Sequence, residues 1–355
     1  MKFENLMATI LYVILLIVIV AVVAQHIVKA PATTDISEPE REFEVKFPKQ
    51  EVQSNEPKFY PAPKEKPEYI RGFIIDPYER PDYKTNIAAA KNASANLIVI
   101  TLHLELGANQ TPEIPNELYF DWKSYVIDII NEAHKNGLHT ELRTVSVLGT
   151  RLAPVSDYNN HLSKNKKLFT ELAKFADEYQ FYQFTLYEQI DSEFNFGSYK
   201  TSEINRAIEN ITIESIKPYY DGRIGSGFTY DKFVKNRDYY EVGDLDYILI
   251  SVYPATDTLP SYHPLIKDYI ERARLVTSAF GVTDIVLGGF GVNTDPSPPH
   301  YTPLKVTQQI EGEFYQEIFD RYENEVEGIT IHYSTEMYGI KDHTALEVVS
   351  ENFNQ

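Results

Sequence analysis

The chain has 355 residues, 43% of them hydrophobic, with a formal net charge of −19 and no cysteine. This length suits one large domain with appendages, since barrel domains of roughly 250 residues form single units. The lack of cysteine excludes disulfides, thiolate nucleophiles and metals bound by cysteine. The acidic balance opposes nucleic acid as a partner, because contacts with phosphates need a surplus of Lys and Arg.

The N-terminus carries an uncharged run over residues 5–25 that is dominated by Leu, Ile, Val and Ala. Its length matches the roughly 20 residues that a helix needs to cross a bilayer. Because the run is apolar on every face, it is not typical of a helix in a soluble core. We therefore predict a transmembrane anchor over 5–25, preceded by a short cytoplasmic N-terminus over 1–4. A cleaved signal peptide is the alternative, since Val22-Val-Ala24 resembles a small-residue cleavage site.

Residues 26–67 are rich in proline, glutamate and lysine, with seven prolines after residue 30. This composition favours an extended, solvated linker over a packed core. The domain that follows, over 68–355, contains glycosylation sequons at Asn92, Asn109 and Asn210, and such acceptors are modified on the outer side of the membrane. We expect a single-pass protein of the cell membrane with this domain outside the cell.

From residue 69 onward, short β-rich runs alternate with amphipathic helical runs. Eight such units predict parallel strands that close into a (β/α)8 TIM barrel. An open doubly wound sheet is the alternative, but it needs a glycine-rich phosphate turn after an early strand, and the glycine cluster at 288–291 comes late and has a different spacing. The predicted strands cover 70–75, 97–104, 138–145, 182–187, 223–228, 247–252, 284–287 and 328–332. The predicted helices lie near 84–92, 121–136, 165–179, 201–217, 263–280, 303–323 and 343–352, and residues 231–240 cover the remaining connection.

The fourth predicted strand ends in Glu188, and barrels of this kind keep their chemistry at the C-terminal ends of the strands. Glu188 is therefore the first catalytic candidate. In the second strand, alternation turns His103 and Glu105 toward the barrel axis, and in the third it turns Glu141 and Arg143 inward. Buried charges must be paired or functional, so a structural Glu141–Arg143 pair is the alternative for those two.

Aromatic and polar side chains at the strand ends suit a polyhydroxylated ligand, because they offer stacking faces and hydrogen-bond partners. The candidates for substrate contacts are His103, Arg143, Tyr187, Tyr230, Tyr253 and His332.

Four runs resemble the (β/α)8 glycoside hydrolases of the large retaining clan that includes cellulases, β-mannanases and β-galactosidases. They are Lys91-Asn-Ala-Ser-Ala-Asn96 before strand two, Leu186-Tyr-Glu-Gln189 in the place of the Asn-Glu-Pro of strand four, Ile250-Ser-Val-Tyr-Pro254 in strand six, and Ile285-Val-Leu-Gly-Gly-Phe-Gly291 in the place of Gly-Glu-Phe-Gly in strand seven. The resemblance implies that Glu188 is the general acid/base and that Tyr253 contacts the sugar.

The chain departs from that pattern at two positions. Gly289 stands where the clan has its catalytic nucleophile, and Tyr187 stands where it has the Asn that contacts the sugar 2-hydroxyl. Because a glycosidase needs two carboxyl groups, a second one would have to come from elsewhere. The candidates are Glu105, Glu141, Asp76 and Glu336.

Three functions compete at this point. The first is a glycoside hydrolase that acts on a poly- or oligosaccharide with an atypical or missing nucleophile. The second is a catalytically inactive barrel that binds carbohydrate at the cell surface. The third is a metal-dependent hydrolase built on His103, Glu105, His139 and His332, but no closely spaced His-x-His pair supports it. We predict neither a metal nor a cofactor.

Overall fold

The structure is a computed structural model that describes residues 59–77, 82–106, 112–113, 122–146, 158–191, 200–235, 237–252, 262–282, 284–290, 308–333, 340–341 and 343–354. The predicted anchor over 5–25 and most of the predicted linker lie outside these ranges. Within them, no helix has both the length and the apolar character to cross a membrane.

The described domain is built on eight parallel strands in a closed ring, as predicted. The strands are β1 (Ile70–Ile75), β2 (Leu97–Leu106), β4 (His139–Ser146), β5 (Gln183–Thr185), β6 (Arg223–Gly227), β7 (Tyr247–Val252), β8 (Asp284–Phe290) and β9 (Gly328–His332). They pair in the order β1-β9-β8-β7-β6-β5-β4-β2, and the pairing of β1 with β2 closes the ring. A two-residue strand, β3 (Pro112–Glu113), pairs antiparallel with the end of β2.

The helices are α1 (Tyr83–Asn92), α2 (Trp122–Lys135), α3 (Tyr158–Glu178), α4 (Thr201–Ile211), α5 (Tyr262–Phe280), α6 (Gln308–Tyr322) and α7 (Thr344–Phe353). Two π-helical turns differ from the predicted pattern. Thr212–Ile216 continues α4 with wider winding, and Asp231–Lys235 takes the place of the helix expected between β6 and β7. The predicted fourth strand is also shorter, because the chain bends after Thr185.

Two apolar layers hold the barrel together. The large layer lies between the strands and the helices and includes Ile98, Ile100 and Leu102 from β2. A smaller cluster fills the inside of the barrel and includes Leu97 and Val99 of the same strand. The predicted alternation of β2 is therefore confirmed, and burial of each face fixes the register of the strand.

The segment just before β1 packs on the closed end of the barrel, where the strands begin. The Tyr60 amide donates to Asn131 Oδ1 at 3.3 Å, and the Tyr60 carbonyl accepts from His134 Nδ1 at 3.0 Å. His139, the first residue of β4, bonds to the Glu65 carbonyl through Nε2 at 2.8 Å. The Phe59 ring lies edge-on to His134. The last residues of the predicted linker thus contribute contacts to the barrel.

Removal of this segment should destabilise the domain. A chain that begins at Glu68 loses the acceptors of His134 and His139 and leaves buried groups without partners. We expect its free energy of unfolding to fall by about 2–4 kcal/mol relative to a chain that begins at Pro57, at about 0.5–1.5 kcal/mol per hydrogen bond. Urea denaturation of the two chains measures the difference. Equal midpoints and slopes would mean that the segment adds nothing to stability.

A buried ionisable pair joins the last two helices. Glu311, in the first turn of α6, is fully buried, and its Oε2 lies 2.8 Å from His343 Nδ1 at the start of α7. Its other oxygen, Oε1, has no hydrogen-bond partner among the described residues. Burial raises the pKa of Glu311 to about 8.

This pair predicts a pH dependence of stability. Above the ordinary carboxyl pKa the unfolded chain loses its proton, while folded Glu311 keeps its proton until about pH 8. The free energy of unfolding should therefore fall as pH rises through this window, by at least about 1.4 kcal/mol for a shift of one unit or more. Glu311→Gln should remove this contribution, whereas the exposed Glu313→Gln on the same helix should keep it. If the free energy of unfolding changes equally with pH in wild type and in Glu311→Gln across pH 5–8, the prediction is refuted.

Candidate active site

Glu188 lies at the open end of the barrel, just after β5. The side chain is 8% exposed, and Ser251 on β7 donates a hydrogen bond from Oγ to Glu188 Oε1 at 2.7 Å. The Glu188 amide donates to the Thr144 carbonyl at 3.0 Å. The backbone of Glu188 is thus held by the neighbouring strand β4, and its carboxyl group is held by β7, two strands along the ring.

Gly227 allows the backbone of Glu188 to take this position. A Cβ atom at Gly227 would collide with the carbonyl oxygen of Glu188 and approach the carbonyl of Leu249 at 3.0 Å. The Gly227 amide donates to the Tyr187 carbonyl at 2.9 Å. A glycine inside a strand often marks such a close approach, so Gly227 is the signal in the sequence that points to this contact.

Below the mouth lies a buried polar network inside the barrel. Arg143 is 1% exposed, and its Nε donates to Glu141 Oε1 at 2.7 Å, while Nη2 donates to Thr330 Oγ1 at 3.2 Å. Glu141 also accepts from Gln183 at 2.6 Å and from Thr185 at 2.7 Å. The carboxylate beside it opposes the effect of burial and raises the pKa of the Arg143 guanidinium, and Glu188 acts in the same direction.

The network decides between the two interpretations of Glu141 and Arg143. Both Glu141 oxygens accept hydrogen bonds and the side chain is fully buried, so Glu141 acts as a structural partner. Arg143 lies beneath the mouth, within electrostatic reach of Glu188. One of its nitrogens, Nη1, has no hydrogen-bond partner among the described residues and points toward Gly288 of β8, 3.3 Å from the place of a Cβ atom there.

A second polar group stands at the ends of β1, β2 and β9. His103 Nε2 lies 2.7 Å from Asp76 Oδ2, and the two side chains are 31% and 19% exposed. His332 is partly buried next to them. Burial, aided by the nearby Arg143 charge, lowers the pKa of His332 to about 4, although Asp76 opposes the shift. The His332 imidazole is therefore neutral at neutral pH.

Two of the predicted substrate contacts lie on the helix side of the barrel. The Tyr187 side chain is fully buried, its hydroxyl donates to Asn165 of α3, and its ring packs edge-on against Phe169. Tyr230 packs against Tyr269 of α5, with its hydroxyl 3.4 Å from Asp268. These contacts correct both predictions: the bend after β5 turns Tyr187 outward and Glu188 inward, and the turn after β6 carries Tyr230 to the outer layer.

The resemblance puts the nucleophile on β8, and Gly289 occupies that position in the strand. The pairing of β7 with β8 shifts by one residue between Ile250 and Val252, which indicates a bulge at this point. Gly288 faces the barrel interior, where a Cβ atom would collide with the Thr330 hydroxyl. The strand therefore reaches the mouth without a carboxylate at either glycine.

Three further predicted residues have no described side chain. Tyr253 and Glu336 lie outside the described ranges, and Glu105 belongs to β2 without a described side chain. His139 lies at the closed end of the barrel, bonded to Glu65, and so takes no part in the mouth. Across the described part of the chain, no group of three or more His, Asp or Glu side chains could hold a metal ion.

The closed ring of eight parallel strands surrounded by helices is a (β/α)8 barrel, the fold class to which many glycoside hydrolases belong. No protein-family model matches the sequence, and no curated protein shows significant similarity to it.

Solved structures do match the fold. A GH113 β-1,4-mannanase complex has a TM-score of 0.61 at 14% identity, with 81% of this chain and 100% of that chain covered. The GH113 β-mannanase of Alicyclobacillus acidocaldarius has a TM-score of 0.60 at 14% identity, with 81% and 98% covered. The β-glucuronidase of Ruminococcus gnavus has a TM-score of 0.55 at 12% identity. The matched region includes 81% of this chain and 51% of that chain. The chain therefore has a glycoside hydrolase-like barrel fold.

Proposed function

We propose that the protein is a glycoside hydrolase that acts on a poly- or oligosaccharide at the cell surface, with Glu188 as the general acid. The observation that carries this proposal is the buried Glu188 carboxyl at the barrel mouth, held by Ser251 and lying near Arg143. A general acid must meet the leaving oxygen in a fixed orientation, and the hydrogen bond from Ser251 supplies that orientation.

The surroundings of Glu188 favour a neutral sugar. The solved structures with a similar fold include enzymes named as mannanases and enzymes named as glucuronidases. A glucuronide carries a carboxylate, which needs a cationic partner such as Arg. Arg143 lies buried in its pair with Glu141, and His332 is neutral. Among the described residues of the mouth, the charges therefore suit a neutral β-linked hexose chain such as a mannan.

A carbohydrate-binding barrel without catalytic activity is the second candidate. One observation favours it: β8 carries Gly289 where the retaining clan has its nucleophile. Such a protein would bind carbohydrate in the cleft and would not hydrolyse it.

We also propose that residues 5–25 anchor the chain in the cell membrane and that residues 26–67 join this anchor to an extracellular domain. The apolar run and the proline-rich composition support this arrangement. Asn92, the first of the three sequons, is exposed at the end of α1. Protease treatment of intact cells should release the domain, and a protected domain would contradict the proposed orientation.

The function is tested by incubating the full chain, in a detergent without sugar groups, with mannohexaose and separately with nitrophenyl β-glucuronide. Chromatography of the products measures hydrolysis, and calorimetry with the Glu188→Gln variant measures binding. We expect hydrolysis of the mannohexaose and little of the glucuronide. Binding without any hydrolysis would support the second candidate, and neither binding nor hydrolysis would refute both.

A further inference from the structure

A second carboxylate stands at the barrel mouth on the far side from Glu188. We infer that Asp76, held by His103, is the base that activates water for a single-displacement hydrolysis in which Glu188 protonates the leaving oxygen. This role rests on the proposed glycoside hydrolysis and adds to it the second catalytic group and the stereochemical outcome.

The order of the strands puts Asp76 in the same half of the barrel as the end of β8, where the retaining clan has its nucleophile. β5, which precedes Glu188, lies three steps from β8 through β6 and β7, and three steps from β1 through β4 and β2. β9 lies opposite β5, and β8 and β1 flank it on either side. A carboxylate at the end of β1 therefore approaches a bound sugar from the same half of the barrel as a carboxylate on β8.

The register puts the two carboxylates at nearly the same height. Barrels of eight strands have a stagger of about eight residues, or about one residue per strand step. The row of paired residues next to Asp76 runs through Ile75, Ile100, Leu142 and Phe184. There are three steps from β1 to β5, so the residue at the end of β5 that lies at the height of Ile75 is Tyr187, three residues after Phe184. Asp76, one residue above the row, is thus level with Glu188.

The contacts of Asp76 suit a base. The imidazole of His103 lies 2.7 Å from one carboxylate oxygen, and a donor at this distance fixes the orientation of the carboxylate. Both side chains are partly exposed at the mouth, so water reaches them. Glu141, by contrast, is fully buried with both oxygens bonded. Among the second-carboxylate candidates whose side chains the structure describes, Asp76 is the one that meets the cleft.

The reaction is a single displacement. The water oxygen bonds to the anomeric carbon on the face opposite the leaving group, while Asp76 takes a proton from the water. The bond between the anomeric carbon and the glycosidic oxygen breaks with its electron pair going to that oxygen, which takes the proton of Glu188. The products are a sugar with inverted anomeric configuration and a free alcohol, and the two carboxyl groups regain their starting states by proton exchange with solvent. Such a mechanism needs the carboxyl groups about 6.5–9.5 Å apart.

The anomeric configuration of the first product tests the inference on the unaltered chain. The full chain in a detergent without sugar groups is mixed with mannohexaose, and proton NMR follows the reducing ends before mutarotation. We expect the α-anomer first, since the substrate linkage is β. First appearance of the β-anomer, with turnover that Glu188→Gln abolishes, would overturn the role of Asp76 and leave the proposed function standing. Absence of any hydrolysis would overturn both.

Variants of Asp76 and of His103 test the two residues separately. Asp76→Asn should lower kcat by about 10²–10⁴-fold, the usual contribution of a general base, while Asp82→Asn, at the exposed start of α1, should change it little. Circular dichroism and the thermal midpoint check that both variants are folded. Unchanged kcat in folded Asp76→Asn would overturn the inference.

His103 is a positioning residue, and its test separates kcat from KM. His103→Ala removes the donor that fixes the orientation of the Asp76 carboxylate, so it should lower kcat and leave KM nearly unchanged. His103→Gln restores an N–H donor and should recover part of kcat. An equal loss of kcat in both folded variants would assign His103 a purely structural role and remove it from the base.

Discussion

Glu188→Gln is expected to lower the turnover of mannohexaose by about 10²–10⁴-fold, because the amide keeps the shape of the carboxyl group and cannot donate its proton to the leaving oxygen. Ser251 can still donate to the amide oxygen of Gln, so the side chain keeps its place and the fold is conserved. Steady-state kinetics by chromatography measures the loss. Binding of the hexaose should persist.

The leaving group gives this prediction a second readout. An aryl mannoside with a strongly acidic phenol needs little protonation, so Glu188→Gln should slow it much less than the hexaose. Glu271→Gln on α5, which is exposed and pairs with Lys267, is the matched control and should retain full activity. Equal losses on both substrates would show that Glu188 positions the sugar and does not act as the acid.

Gly289→Glu is expected to create retaining activity that the unaltered chain lacks. The substitution puts a carboxylate into β8 at the position of the nucleophile in the retaining clan, while Glu188 remains as acid and base. Turnover of aryl glycosides should rise by about tenfold, a barrier change of about 1.4 kcal/mol. Millimolar formate or azide should produce a similar rise in the unaltered chain by occupying the same place.

The gain should remain partial, because Tyr187 stands where the clan has the Asn that contacts the 2-hydroxyl, and its side chain lies among the helix residues. Gly288→Glu is the matched control. Its Cβ atom would collide with Thr330, so this variant should lose stability without any gain in rate. Robust retaining hydrolysis by the unaltered chain would contradict the prediction, since it would require a nucleophile elsewhere.

The fold could be predicted because each strand carries its own signal. β2 alternates between Leu97 and Val99 inside the barrel and Ile98 and Ile100 toward the helices, and this alternation is visible in the sequence. The short β5 shows what the alternation pattern does not predict. Its predicted length continued to Tyr187, and the bend after Thr185 depends on contacts with β6 that the local pattern does not encode.

The site could be predicted only in part. The position of Glu188 follows from the strand count, and the inward faces of His103 and Arg143 follow from alternation. The partners do not follow, because the Asp76–His103 contact joins the ends of β1 and β2, and the Ser251–Glu188 bond joins β7 to the segment after β5. The outward turn of Tyr187 and the pairing of Glu311 with His343 likewise depend on tertiary contacts.

The segment that contains Tyr60 and Glu65 enters the domain at the end of the barrel opposite Glu188. For a tethered domain, this point of attachment decides which way the cleft opens. The cleft that holds Glu188 therefore opens at the far end of the domain from this point of entry. Under the proposed membrane anchoring, a polymer can reach the cleft without passing the segment that holds Tyr60 and Glu65.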